Sequence, residues 1–123
     1  MSANKFILSL TIIIVAFFAW SKSNKADTVN INPDQSTSSA FLVDVRTPQE
    51  YQLGSVAGSV NIPLQDLESR LEEFKNKEKI IVFCRSGNRS GIAKEILEQN
   101  GYKNIINGGS WQQVQKSIEN HQP

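Results

Sequence analysis

The single cysteine of this 123-residue chain, Cys84, opens the stretch CRSGNRS at residues 84–90. An apolar run, KIIVFC, leads into it, and a helical pattern, SGIAKEILEQNGY, leads away from it. The thiolate, not the thiol, is the nucleophilic form of cysteine, and a helix start or a nearby cation favours it. Arg85 and Arg89 supply guanidinium charge, Ser86 and Ser90 carry hydroxyl donors, and Gly87 permits a tight turn. Asn88 is a turn former. These residue types at this spacing describe a cradle for an anion with a nucleophile at its base. The structural alternative is a buried cysteine acting as a small hydrophobe. The polar neighbours from Arg85 to Arg89 speak against it, since an apolar core does not accept such a run. A lone cysteine also excludes an internal disulfide, and a free thiol in an oxidising compartment is a liability unless it has a function.

Such a cradle needs a strand to deliver the sulfur and a helix to close the loop. KIIVFC lacks polar alternation, as expected of a central parallel strand covered on both faces. The helix after the loop is expected to present Ile92, Ala93, Ile96 and Leu97 on one face and to stop at Gly101. Upstream, AFLVDV reads as a buried strand closing on Asp44. TPQEYQLG reads as a short helix with Thr47 as N-cap and Pro48 in the first position, stopping at Gly54. SVAGSVNIP suggests another short strand ended by Pro63. In LQDLESRLEEFKNKEK the spacing of Leu64, Leu67, Leu71 and Phe74 predicts an amphipathic helix. KNIINGG predicts a last strand, and SWQQVQKSIEN a final helix packing Trp111, Val114 and Ile118. Strands alternating with helices imply an α/β domain with an open parallel sheet, and ligands of such sheets bind beyond the carboxyl ends of the strands.

The remainder of the chain is organised around that domain. Residues 1–21 read as a signal peptide: a lysine near the start, an apolar run over 6–20, and Ala19 and Ser21 placed for cleavage. The alternative is a membrane anchor through residues 6–20, although that run is short against the ~20 residues that span a bilayer. Residues 22–39 read as a linker with a short edge strand at Val29 to Ile31, residues 40–119 as the folded domain, and 120–123 as a tail. The expected location is therefore exported and periplasmic, with membrane anchoring as the alternative. Thirteen basic residues against twelve acidic ones leave a net charge of +1, and Lys5 lies in the leader. A balance this even argues against nucleic acid or a membrane surface as the main partner. No metal-ligand motif occurs, and His121 is the lone histidine, near the end of the tail.

From Phe41 to Ile118 the chain resembles a single-domain rhodanese, a sulfurtransferase family with a thiolate at the start of a six-residue loop. CRSGNRS is close to that family's common active-site sequence. DVRTPQEY looks like its first strand and turn, GSVAGSVNIP like its GHIPGAINIP-type segment, and GYKNIINGG like its last strand and glycine pair. With its leader and short N-terminal region the chain is similar to the small periplasmic rhodaneses of the phage-shock-protein E type. Departures from the pattern are Ser55 where the family often has histidine, a reduced region before DVR, and a single residue between the glycine pair and Trp111.

The resemblance implies a rhodanese-like open parallel sheet of four to five strands with helices on both faces. It implies a sulfurtransferase that moves sulfane sulfur from a small-molecule donor such as thiosulfate to cyanide or a thiol through a Cys84 persulfide, without a cofactor or metal. A protein thiol is a further class of acceptor. The resemblance places Arg85, Ser86, Gly87, Asn88, Arg89 and Ser90 in the substrate-binding loop, with Arg85 and Arg89 holding an anionic donor. Asp44 and Arg46 are supporting residues at the neighbouring strand end, or else an ordinary structural salt bridge. Rival readings are a non-catalytic rhodanese-like binding module and a Cys-based phosphatase or arsenate reductase. Inactive modules commonly lose the cysteine, and phosphatase loops usually carry arginine at the position that Ser90 holds here.

Overall fold

The computed structural model describes residues 40–122. The segments read as leader and linker, including the edge strand proposed at Val29 to Ile31, lie outside the described residues. Within them the order is β1 (Phe41–Asp44), α1 (Pro48–Gln52), β2 (Val60–Asn61), a 3-10 helix (Leu64–Phe74), β3 (Ile80–Cys84), α2 (Asn88–Gln99), β4 (Ile105–Ser110) and α3 (Trp111–Glu119). The four strands form one sheet in the order β2-β1-β3-β4. Every pairing is parallel, with Val43 beside Val60 and Val82, and Ile81 beside Ile106. The α/β architecture with a four-stranded parallel sheet is thus as expected.

β3 is central because it can be buried throughout: Ile80, Ile81, Val82, Phe83 and Cys84 are each at most 1% exposed. Alternation along the strand sends side chains to opposite faces. Val43, Ile80 and Val82 pack with Leu67, Phe74, Ala93 and Leu97 under the 3-10 helix and α2. Leu42, Ile81 and Phe83 pack with Val114 of α3 on the other face. Helices therefore cover both faces. Gly108 permits the close approach of α3, because a Cβ there would lie 2.5 Å from Val114 Cγ2 and 3.1 Å from Ile81 Cγ2.

The segment after Pro63 is not the α-helix that the spacing predicts. It is 3-10 helix, broken at Arg70 by a non-helical backbone (φ −121°, ψ 21°). Side chains three residues apart eclipse in a 3-10 helix. Leu64 and Leu67 form one such pair and Leu71 and Phe74 the other, so the single step of four falls across the break. Leu67 and Phe74 are buried, with Leu64 and Leu71 packed against the same cluster. A second correction concerns α2: Ala93, Ile96 and Leu97 face the core, whereas Ile92 is 42% exposed. α2 ends as expected, with Gly101 at φ 87° and its N–H donating to the Glu98 carbonyl. α1 has the capping box its sequence encodes: Thr47 Oγ1 accepts from the Glu50 N–H, and the Glu50 carboxylate accepts from the Thr47 N–H.

Candidate active site

The carboxyl ends of β1, β3 and β4 bring Asp44, Cys84 and Ser110 to one end of the sheet, where the loop 84–90 begins. Cys84 is the last residue of β3 and α2 begins at Asn88, so the turn between them is very short. Gly87 makes it possible as the N-cap of α2 at φ 97°, a conformation that a residue with a Cβ adopts only under strain. Its carbonyl accepts from the Gly91 N–H at 2.9 Å, starting the helix. Its own N–H donates to Cys84 Sγ at 3.0 Å, and the Ser90 hydroxyl lies 3.3 Å from the same sulfur. The sulfur therefore sits at the head of α2, where unpaired N–H groups and the helix dipole favour negative charge.

Cys84 is itself buried, 1% exposed, so the polar-loop description of the sequence holds for its neighbours and not for its side chain. Burial pushes the thiol up. Hydrogen bonds from the Ser90 hydroxyl and from the backbone N–H groups of Ser90, Ser86 and Gly87 outweigh it, leaving the thiol below its ordinary value. The principal donors belong to the loop itself and not to the flanking arginines. The rate of alkylation of Cys84 plotted against pH should accordingly inflect below the ~8.5 of a free thiol. An inflection at or above that value would refute the cradle as drawn.

The two arginines have different surroundings. Arg85 is exposed and has no ion pair among the described residues. Arg89 is engaged, with Nη1 and Nη2 bonded to the Glu50 carboxylate at 2.8 and 3.0 Å. Of the two arginines expected to hold an anionic donor, Arg89 is thus paired within the chain, and its partner Glu50 is a residue the sequence reading did not place at the site. The capping box signals its role at the start of α1, but nothing local signals a partner 39 residues away. The Arg89 hydrogen bond holds the Glu50 carboxyl at about 2, against 4.5 ordinarily. Stabilisation by this depressed group is present above the ordinary value and lost as pH falls through about 2, so the brace persists through mild acid. Ser86 and Asn88 are exposed, Asn88 as the first residue of α2.

Asp44 and Arg46 form a buried pair, 0% and 7% exposed in their side chains. Arg46 Nε lies 3.0 Å from both carboxylate oxygens and Nη2 lies 2.7 Å from Oδ2. Ser55 Oγ donates to Asp44 Oδ2 at 2.7 Å, which is the use made of the residue standing where histidine was expected. Arg46 also donates to the Gly54 carbonyl at 2.6 Å, and its guanidinium lies 5.5 Å from the centroid of Trp111. Asn61 Nδ2 donates to the carbonyls of both Asp44 and Arg46. The pair binds β1, α3 and the segment before β2 together, and its hydrogen bonds among the described residues stay inside that framework.

A second unforeseen residue is Asn107, 2% exposed, under the loop. Between Val82–Asn107 and Cys84–Ser110 the β3–β4 register shifts by one residue, with Gly109 at φ 78°. This is a β-bulge, and it re-aims the strand beside the site. Asn107 Nδ2 donates to the Gly87 carbonyl at 3.0 Å, and Oδ1 accepts from the Ser90 hydroxyl at 2.7 Å. The glycine pair in the sequence marks the bulge, but not which side chain it turns inward.

The family model for the rhodanese-like domain matches residues 25–117. The chain belongs to the rhodanese-like domain family. Its match begins at residue 25, inside the segment read as linker. A relative named thiosulfate sulfurtransferase PspE, from Escherichia coli, is 36% identical over 74 residues, covering 58% of this chain and 71% of the relative. A mitochondrial relative from Schizosaccharomyces pombe is 39% identical over 87 residues, covering 59% of this chain. The match spans 61% of that relative's own length. Among solved structures, a rhodanese with anions from E. coli superposes with a TM-score of 0.56 at 36% identity, covering 60% of this chain and 89% of that one. The open parallel sheet with helices on both faces is thus the rhodanese-like fold.

Proposed function

We propose that this rhodanese-like domain is a sulfurtransferase working through a persulfide on Cys84. The observation that carries the reading is the buried sulfur at the head of α2, held by the Gly87 N–H and beside the Ser90 hydroxyl. The Cys84 thiolate attacks the outer sulfur of a donor such as thiosulfate. A new S–S bond forms, the donor's own S–S bond breaks, and its electron pair leaves with sulfite. An acceptor such as cyanide or a thiol then attacks the terminal sulfur, and the electron pair of the persulfide bond returns to Cys84 as thiolate. No outside oxidant, metal or cofactor enters this balance. The loop N–H groups stabilise the sulfur bound at the cysteine. Arg85 supplies the guanidinium open to an anionic donor, and Arg89, braced by Glu50, stiffens the loop. Residues 1–21 serve in this proposal as export signal to the periplasm or as membrane anchor. Among the described residues no helix is long and apolar enough to cross a membrane.

The phosphatase reading requires a guanidinium fork free to grip two oxyanion oxygens. Arg89 already uses its fork on Glu50. The test is a direct comparison. Purified protein should release sulfite from thiosulfate, gain the mass of one sulfur at Cys84, and show negligible turnover of aryl phosphates. Aryl phosphate hydrolysis as fast as sulfur transfer would put the phosphatase in its place. Absence of both activities, with Cys84 left without added sulfur, would favour the non-catalytic module.

A further inference from the structure

Cys84, Ser90 and Asn107 come from three different elements, β3, α2 and β4, and are 1%, 0% and 2% exposed. Their polar atoms are linked through Ser90. Ser90 Oγ lies 3.3 Å from Cys84 Sγ and 2.7 Å from Asn107 Oδ1. A serine hydroxyl carries one proton, so it cannot donate fully to both. The amide orientation of Asn107 is set from both ends. The Gly109 N–H donates to Oδ1 at 3.1 Å, and the Gly87 carbonyl accepts from Nδ2 at 3.0 Å. A flipped amide would set donor against donor and acceptor against acceptor. Asn107 therefore presents a carbonyl to Ser90, at the favoured length for an O–H···O bond.

We infer that Asn107 is a positioning residue for Cys84: its side-chain carbonyl competes with the sulfur for the single Ser90 proton and holds that proton until Sγ is negatively charged. While Cys84 is a thiol, its S–H can donate to Ser90 Oγ and the Ser90 O–H to Asn107, so each donor has an acceptor. When the thiol proton leaves to solvent, the sulfur becomes an acceptor only. The Ser90 hydroxyl then turns to it, because a bond to a charged acceptor is roughly twice as strong as one between neutral groups. The swing is inexpensive, since Oδ1 keeps the Gly109 N–H and no buried acceptor is left unpaired. The same motion serves the second half-reaction, in which the sulfur of Cys84 leaves as thiolate. This inference rests on Cys84 being the nucleophile proposed above. The other charged groups at this end of the sheet are Arg85 in the loop, Arg89 with Glu50 of α1, and Asp44 of β1 with Arg46 just beyond it, and none of them is altered by the test.

The test is alkylation of Cys84 by iodoacetamide across pH in the full chain, in which it is the sole thiol. It reads the thiolate whether or not sulfur is transferred, so failure of the sulfurtransferase reading leaves it interpretable. Ser90→Ala should slow alkylation at pH 6 about tenfold and move the inflection to higher pH. Asn107→Ala and Asn107→Ser should do the reverse, about threefold faster at the same pH, because the hydroxyl then has no rival acceptor. In the Ser90→Ala background the Asn107 substitutions should change nothing, which separates action through Ser90 from bracing of the loop. Slower alkylation in the Asn107 variants, or an equal effect with and without Ser90, overturns the inference and makes Asn107 a brace alone. Should neither Asn107 variant fold, Ser90→Ala decides: slower alkylation supports the hydroxyl as donor, and an unchanged rate overturns the proposal.

Discussion

If the proposed mechanism holds, Cys84→Ser should reduce sulfur transfer from thiosulfate to cyanide by far more than a hundredfold, read as thiocyanate produced, while the fold survives. An alkoxide is inaccessible near neutrality and a serine oxygen cannot carry the transferred sulfur, so no second nucleophile takes over. Cys84 is the only thiol in the chain. The replacement should stay folded because the Gly87 N–H and the Ser90 hydroxyl offer a serine oxygen hydrogen bonds where the sulfur sat. Some loss of stability is expected, since Cys84 also belongs to the core cluster under α2. Mass spectrometry after incubation with thiosulfate should show one added sulfur on the native chain and none on the variant. Turnover above about a hundredth of the native rate would exclude a covalent mechanism at this residue.

Asp44→Ala should have the largest effect on stability, a loss of about 3–5 kcal/mol. It removes the carboxylate that receives the Arg46 N–H, its guanidinium and the Ser55 hydroxyl, and strands a guanidinium that is 7% exposed. A domain of this size has roughly 5–15 kcal/mol in total, so the variant lies near the limit of folding, with Tm lowered by about 10 °C or more. Replacing Arg46 with methionine in the same chain should recover most of the loss, because an apolar pair carries no stranded charge. Thermal unfolding of the two variants distinguishes this from a direct part in the chemistry. If Asp44→Ala melts like the native chain yet loses sulfur transfer, the carboxylate acts on substrate and is not a framework group.

Much of this protein is legible in the sequence because the signals are local. KIIVFC reads as a strand covered on both faces, and a cysteine at its end followed by a helix start places the sulfur among unpaired N–H groups. Gly87, Gly101, Thr47 and Pro48 encode a turn, a helix stop and a helix start through their own backbone preferences. Spacing misled where two helical periods share a pattern. The pairs Leu64–Leu67 and Leu71–Phe74 fit an α-helical face, and they fit two 3-10 turns equally well until the break at Arg70 is seen.

What the sequence by itself determined is which residues are the candidates for the chemistry: a thiol, its turn glycine and hydroxyls on one loop, close enough along the chain for type and spacing to single them out. What only the tertiary structure decided is who restrains them. Arg89 and Glu50 lie 39 residues apart, and Ser90 and Asn107 lie 17 apart on different elements. Arg46 reaches Gly54 and Trp111 only because the segment after α1 and the start of α3 are both brought to the end of β1. Hydrogen bonds and ion pairs of this kind depend on distance in space, and chain spacing beyond one or two turns carries no information about that distance until the sheet has ordered its strands. The register shift between β3 and β4 is the sharpest case: one extra residue at the glycine pair accompanies an asparagine buried under the loop, where its carbonyl competes for the proton that the cysteine needs.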